Sequence, residues 1–146
     1  GQEGGYRSGT EATPAIFGFA AAAEAGSKTF REDIQQEQAL LNTLCEELRA
    51  LPGVTVNGAH DAPHILSVAI PGLPTQNSIN LLQNEGICVS AGSACAKGHR
   101  SHVLTAMGID GDTIDSAFRI SLSRETTPEE IGLLVKAVRE KLLPRA

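Results

Sequence analysis

The sequence has no tryptophan, one tyrosine and four phenylalanines, so aromatic residues make up only 3% of it. So sparse a set cannot build the stacking platform that holds single-stranded nucleic acid. Positive charge is also short. Lys and Arg number 12 against 17 Asp and Glu, a net −5 at pH 7, the opposite of the basic footprint that a phosphate backbone demands. No apolar run approaches the roughly 20 residues needed to cross a bilayer. Cysteine occurs three times, an odd number without metal-ligand spacing. With no secretory leader in view, this predicts a reducing, cytoplasmic setting rather than a disulfide scaffold. An initiator methionine is missing too: the chain opens Gly1-Gln2-Glu3-Gly4-Gly5 and reads as part of something longer, or as a processed or cloned chain. What is present is 146 residues, 41% hydrophobic and 20% charged, the balance of one ordinary globular domain with a modest core.

Residues 1–12 are glycine-rich and polar and read as loop. Thr13-Pro14 supplies a cap and a first-turn proline for a helix that the Ala-rich run continues and Gly26 ends. Thr29 and Glu32 have capping-box spacing and predict a second helix. Its apolar stripe is Phe30, Ile34, Leu41, Leu44, Cys45, Leu48 and Leu51, and Pro52-Gly53 stops it. Strands are expected at Val54–Val56, Ile65–Ile70, Ile87–Val89 and Phe118–Leu122. Helices are expected over 75–84, after Ser101 as far as Gly108, and from Thr127-Pro128-Glu129-Glu130 onward. This order predicts an α/β chain of the α+β, two-layer kind, with helices packed on one face of a small, mostly antiparallel sheet.

One segment asks for a chemical explanation: Val89-Ser90-Ala91-Gly92-Ser93-Ala94-Cys95-Ala96-Lys97-Gly98-His99-Arg100-Ser101-His102. Cys95 sits among Gly, Ser and Ala, where a core cysteine would have bulky apolar neighbours. Lys97, His99 and Arg100 follow it, and nearby positive charge favours the thiolate, the reactive form of the side chain. The residues alone leave two readings open: a reactive thiol, or a glycine-rich turn with an incidental surface cysteine. Cys45, on a helix stripe, and Cys88, in an apolar run, read as small core residues. Arg119 interrupts an otherwise apolar strand, so it serves either a ligand or a surface ion pair.

Ser90-Ala91-Gly92-Ser93-Ala94-Cys95 resembles the active-site cysteine loop of the cysteine desulfurases, pyridoxal-phosphate (PLP) enzymes of the class V aminotransferase group. Further motifs follow in order. Gly1-Gln2-Glu3 with Tyr6-Arg7-Ser8-Gly9-Thr10-Glu11 is similar to the family's glycine-rich segment before its long helix. Ser101-His102-Val103-Leu104 with Ala106-Met107-Gly108 is similar to the stretch after the cysteine loop. Phe118-Arg119-Ile120-Ser121-Leu122 is similar to the substrate-arginine strand, and Thr127-Pro128-Glu129-Glu130-Ile131 to the start of the last helix.

The resemblance implies the C-terminal small domain of an aspartate-aminotransferase-like fold. Residues 1–26 would form an interface loop and the start of a linking helix, and residues 27–146 the small domain. The large domain with the PLP lysine would lie outside the chain. It implies that sulfur moves from L-cysteine onto Cys95 as a persulfide, with release of L-alanine. Arg119 would pair with the substrate carboxylate, and Thr10, with Arg7 nearby, would hold the PLP phosphate across a homodimer interface. Persulfide sulfur would pass to an acceptor protein in iron–sulfur cluster or thio-cofactor synthesis. The sequence departs from the family pattern in three places. Ser123 stands where many members have Gly, and His64-Ile65-Leu66-Ser67 replaces an Asn-containing pattern. The stretch from Cys95 to His102 is about two residues short of the long-loop members, or roughly 7 Å of reach. A selenocysteine lyase-like relative is one alternative reading; a free-standing persulfide carrier or dimerisation module without PLP is another.

Overall fold

The computed structural model describes residues 3–6, 8–59, 61–92 and 100–146. The chain forms two compact units, Gly1–Glu32 and Asp33–Ala146. In the first, a tight turn at Glu3–Gly5, with all three residues at positive φ, precedes helix α1, which runs Thr13–Arg49 and so continues into the second unit. The expected break at Gly26 is not there. Gly26 keeps a negative φ instead of the left-handed conformation that ends a helix, and Thr29 and Glu32 lie inside the helix without forming a capping box. Good helix formers on both sides outweigh the penalty of about 1 kcal/mol for an interior glycine. Lys28 pairs with Glu24 one turn back at 3.3 Å, and Ser27 Oγ donates to the Glu24 carbonyl at 2.8 Å.

The second unit is an α+β fold built on one sheet. Strands β1 (Thr55–Asn57), β2 (Ile65–Ala69), β3 (Ser90–Ala91) and β4 (Ala117–Ser121) lie in the order β1-β2-β4-β3, each pair antiparallel. Alternation along the strands sorts the side chains onto two faces. Val56, Val68, Phe118 and Ala91 share one cross-strand row. Ala91 on the edge strand is exposed, while Val56, Val68 and Phe118 form the core face with Leu66 and Ile120. Against it pack Leu41, Leu44 and Leu48 from the C-terminal turns of α1, Leu82 from α2 (Thr75–Asn84), and Ile131, Leu134 and Val135 from α5 (Pro128–Ala137). The stripe read after Thr29 is buried from Leu41 through Leu51, whereas Phe30 at its start is exposed and Ile34 only half-buried. Helix α5 starts with a complete capping box: Glu130 N–H donates to Thr127 Oγ1 at 3.3 Å, and Thr127 N–H donates to the Glu130 carboxylate at 2.9 Å.

Two short helices, α3 (His102–Ala106) and α4 (Gly111–Asp115), lie between β3 and β4. Helix α3 follows Ser101 as expected, and Ser101 caps it, accepting from Leu104 N–H at 3.4 Å. Helix α4 was not expected; Asp110 caps it, accepting from Thr113 N–H at 3.0 Å. The strand predicted at Ile87–Val89 begins later, at Ser90. Gly86 adopts φ +78° and closes α2, and the Ile87 N–H donates back to the Leu82 carbonyl at 2.9 Å. A residue used in this way to terminate a helix cannot also pair as a strand.

Candidate functional site

The opposite face of the sheet carries the polar row Asn57–Ser67–Arg119–Ser90, one residue from each strand in direct register. Arg119 stands on central strand β4 between two serines. Directly opposed residues have Cβ atoms only about 5 Å apart, so small partners on both sides leave room around the long side chain. Its guanidinium is exposed and has no ion pair among the described residues. The ion-pair alternative for Arg119 is thus not realised among the described residues. Asn57 is 7% exposed and donates through Nδ2 to Ser67 Oγ at 3.2 Å, while its buried Oδ1 has no partner among the described residues. Sequence reasoning noted Ser67 only as a departure from a pattern, because a cross-strand row becomes visible only once register is set.

β3 ties this row to the cysteine segment. Ser90 is the register partner of Arg119, and Cys95 lies five residues further along the chain. Cys95 itself, with Lys97 and His99, lies outside the described residues, as does Arg7. The chain is described again from Arg100. There the guanidinium Nε and Nη2 donate to the two carboxylate oxygens of Asp115 at 2.8 and 2.6 Å. This hydrogen-bonded charge holds the Asp115 carboxyl below the usual carboxylate range and raises the Arg100 guanidinium above its ordinary value. Asp110 is also lowered, first by the hydrogen bond from the Thr113 hydroxyl. No sequence signal announced the Arg100–Asp115 pair, whose members stand 15 residues apart.

The remaining candidates separate. Cys45 is buried, as read. Cys88 is exposed, not core: with Ile87 drawn into the α2 terminator, Cys88 emerges at a cleft of ≈ 560 Å³ whose far wall is α5. His102 is an exposed first residue of α3. Ser123, in place of Gly, closes the turn after β4. Its N–H donates to Thr126 Oγ1 at 2.9 Å and its Oγ accepts from Glu125 N–H at 3.2 Å. Thr10 belongs to the first unit, exposed, three residues before α1 and next to Gly9 at φ +109°.

The class-V aminotransferase profile matches residues 1–134. The chain belongs to the class-V aminotransferase family. Its relatives include the mitochondrial cysteine desulfurase of Arabidopsis thaliana, 36% identical over 139 residues that make up 93% of this chain and 31% of that protein. The cysteine desulfurase IscS of Vibrio vulnificus is 33% identical over 143 residues, 95% of this chain and 35% of the relative. Among solved structures, a NifS-like protein from Rickettsia africae superposes with a TM-score of 0.82 at 32% identity, covering 96% of this chain and 37% of the other. The chain thus spans about a third of the length of the curated relatives it matches. These relatives come from mitochondria and from bacteria, and no described helix of this class-V chain is long and apolar enough to cross a membrane.

Proposed function

We propose that this chain is the C-terminal part of a PLP-dependent cysteine desulfurase and carries its sulfur-accepting thiol. The observation that bears most weight is the β3–β4 register. Arg119, exposed and without an ion pair among the described residues, has Ser90 as its register partner across β4 and β3, and Ser90 leads into the Cys95 segment. Ser90, the register partner of the carboxylate anchor, is joined to the nucleophile by five residues of chain, at most about 17 Å. The flat fork of Arg119 suits a carboxylate through two parallel hydrogen bonds. It would fix the amino-acid substrate by the end that does not react.

The Cys95 thiolate attacks the substrate sulfur. A sulfur–sulfur bond forms and the carbon–sulfur bond breaks. Its electron pair leaves with the three-carbon fragment, which is protonated and released as L-alanine. Cys95 keeps the transferred sulfur as a persulfide for an acceptor. PLP supplies, when bound, the electron sink that labilises the carbon–sulfur bond. The described residues fit only one end of that cofactor. Thr10, an exposed residue beside a left-handed glycine and just ahead of α1, suits its phosphate, with Arg7 three residues earlier in the sequence. The lysine and the partners of the ring belong to the large domain. Dimerisation, an acceptor protein in iron–sulfur cluster assembly and a cytoplasmic setting belong to the same reading.

The test is cysteine by cysteine in the full-length protein. Cys95→Ser should abolish persulfide formation and leave PLP absorbance intact, whereas Cys45→Ser and Cys88→Ser should keep both. Loss of persulfide in a folded Cys88→Ser protein would move the nucleophile to the cleft beside α5. A selenocysteine lyase would differ by releasing alanine from selenocysteine far faster than from cysteine, and a PLP-free carrier by accepting sulfur with no bound cofactor.

A further inference from the structure

Arg119 has a serine on each side in the row Asn57–Ser67–Arg119–Ser90, and the two are not equivalent. Leu122 N–H donates to the His64 carbonyl at 2.8 Å. Backbone-bonded pairs between β2 and β4 therefore fall at Leu122–His64 and at every second position from there, so Ser67–Arg119 is a pair without backbone bonds. Such pairs bring their Cα atoms to about 4.5 Å, against about 5.5 Å in the bonded kind, and their side chains are closer. The backbone N–H and C=O of Arg119 face β3 instead, which makes Ser90–Arg119 the wider pair. Ser67 is thus the nearer hydroxyl.

The proton of that hydroxyl has no acceptor in the row. Asn57 Nδ2 donates to Ser67 Oγ at 3.2 Å, which occupies a lone pair of the oxygen and leaves its O–H to point elsewhere. Arg119, on the other side, carries five donors and no acceptor. Among the described residues the Ser67 hydroxyl donates to nothing and no carboxylate pairs with Arg119. Asn57 is buried, Ser67 half-buried and Arg119 exposed. The row therefore has a fixed inner end and an open end that offers only donors. A carboxylate accepts from a guanidinium and a hydroxyl at once and brings the compensating charge.

We propose that Ser67 is a second donor to the substrate carboxylate, and that Asn57 is the positioning residue that orients it. The Arg119 fork takes both carboxylate oxygens, and the Ser67 O–H donates to a remaining lone pair of the nearer one. A hydroxyl fixed at one edge of the fork holds a planar carboxylate in one orientation. It thereby sets the direction in which the rest of the amino acid leaves the site. This inference rests on the reading of Arg119 as the carboxylate anchor.

The probe is L-alanine, which has the carboxylate of L-cysteine and no sulfur, so no step at a thiol enters. Its dissociation constant is measured by calorimetry in the full-length protein. Ser67→Ala should weaken it about tenfold, the lower end for a hydrogen bond to a charged group, and Ser67→Thr, which keeps the hydroxyl, should stay within about twofold of wild type. A loss below about twofold in folded Ser67→Ala overturns the second donor, and so does an equal loss in Ser67→Thr. Asn57→Ala should weaken L-alanine roughly two- to fivefold in the wild-type background and leave it unmoved in Ser67→Ala, because Asn57 acts through Ser67. The same effect in both backgrounds, or none in either, overturns the orienting role. Should Asn57→Ala not fold by circular dichroism, the near-isosteric Asn57→Asp is read in the same two backgrounds. Arg119→Ala judges the underlying reading and should cost more than Ser67→Ala. Unchanged affinity there overturns the anchor, whereas a loss there with none in Ser67→Ala overturns Ser67 alone.

Discussion

Phe118 and Arg119 are neighbours on β4 that face opposite sides of the sheet, and substitution should separate folding from function between them. Phe118 is 1% exposed, is paired with Val68 and Ala91, and belongs to the core cluster. Phe118→Ala removes a ring from the middle of a closely packed layer, a change that typically costs about 3–5 kcal/mol. Against a domain stability of about 5–15 kcal/mol, that is a third or more of the total in most cases. Arg119→Ala removes an exposed side chain with no ion pair among the described residues, so stability should move by no more than about 0.5 kcal/mol. Urea unfolding followed by far-UV circular dichroism measures both, since a chain without tryptophan offers no indole fluorescence. The midpoint should fall sharply for Phe118→Ala at unchanged slope and stay in place for Arg119→Ala. In the full-length protein, Arg119→Ala should still weaken L-cysteine binding. A Phe118→Ala loss below about 1 kcal/mol would refute the placement of β4 between core and open face. A large loss in Arg119→Ala would show that the guanidinium holds the fold rather than a ligand.

Gly26→Ala should stabilise the chain by about 0.5–1 kcal/mol, because Gly26 lies within α1 with nothing within 4 Å of an added Cβ; thermal melting that shows destabilisation would restore a break there. Under native conditions a thiol reagent should label Cys88 promptly and Cys45 only on unfolding, since the first is exposed and the second buried; equal rates would contradict the core assignment. Asp115 is held below the ordinary carboxylate range by Arg100, so its pairing contributes to stability above the unfolded carboxylate pKa and is lost as pH falls through the lower folded value. An NMR titration should find its midpoint depressed in the wild type and returned to the ordinary range in Arg100→Gln; an undepressed wild-type midpoint would remove the fork.

Much of the frame was legible in the residues. Thr127-Pro128-Glu129-Glu130 carries its own capping chemistry, and that capping box is present atom for atom. The apolar stripe Leu41, Leu44, Leu48 predicts the buried face of α1, because a period of 3.6 residues puts those positions on one side. The cysteine loop and the arginine strand stood out by residue type alone, and the family match bears out the resemblance they suggested. Local signals failed where two of them competed. Gly26 carries the signature of a helix end, yet its neighbours favour helix on both sides. Ile87 has strand character but is drawn into the end of α2, and Cys88 with it leaves the core. What only the tertiary structure decided is which distant residues meet. The row Asn57–Ser67–Arg119–Ser90 exists because antiparallel register sets four separate strands side by side. The Arg100–Asp115 pair exists because α4 brings Asp115 beside Arg100. Helix and cap signals depend on neighbours three or four positions away and so can be read along the chain. A cross-strand row or an ion pair spanning 15 residues depends on how the elements pack, and no local pattern encodes it.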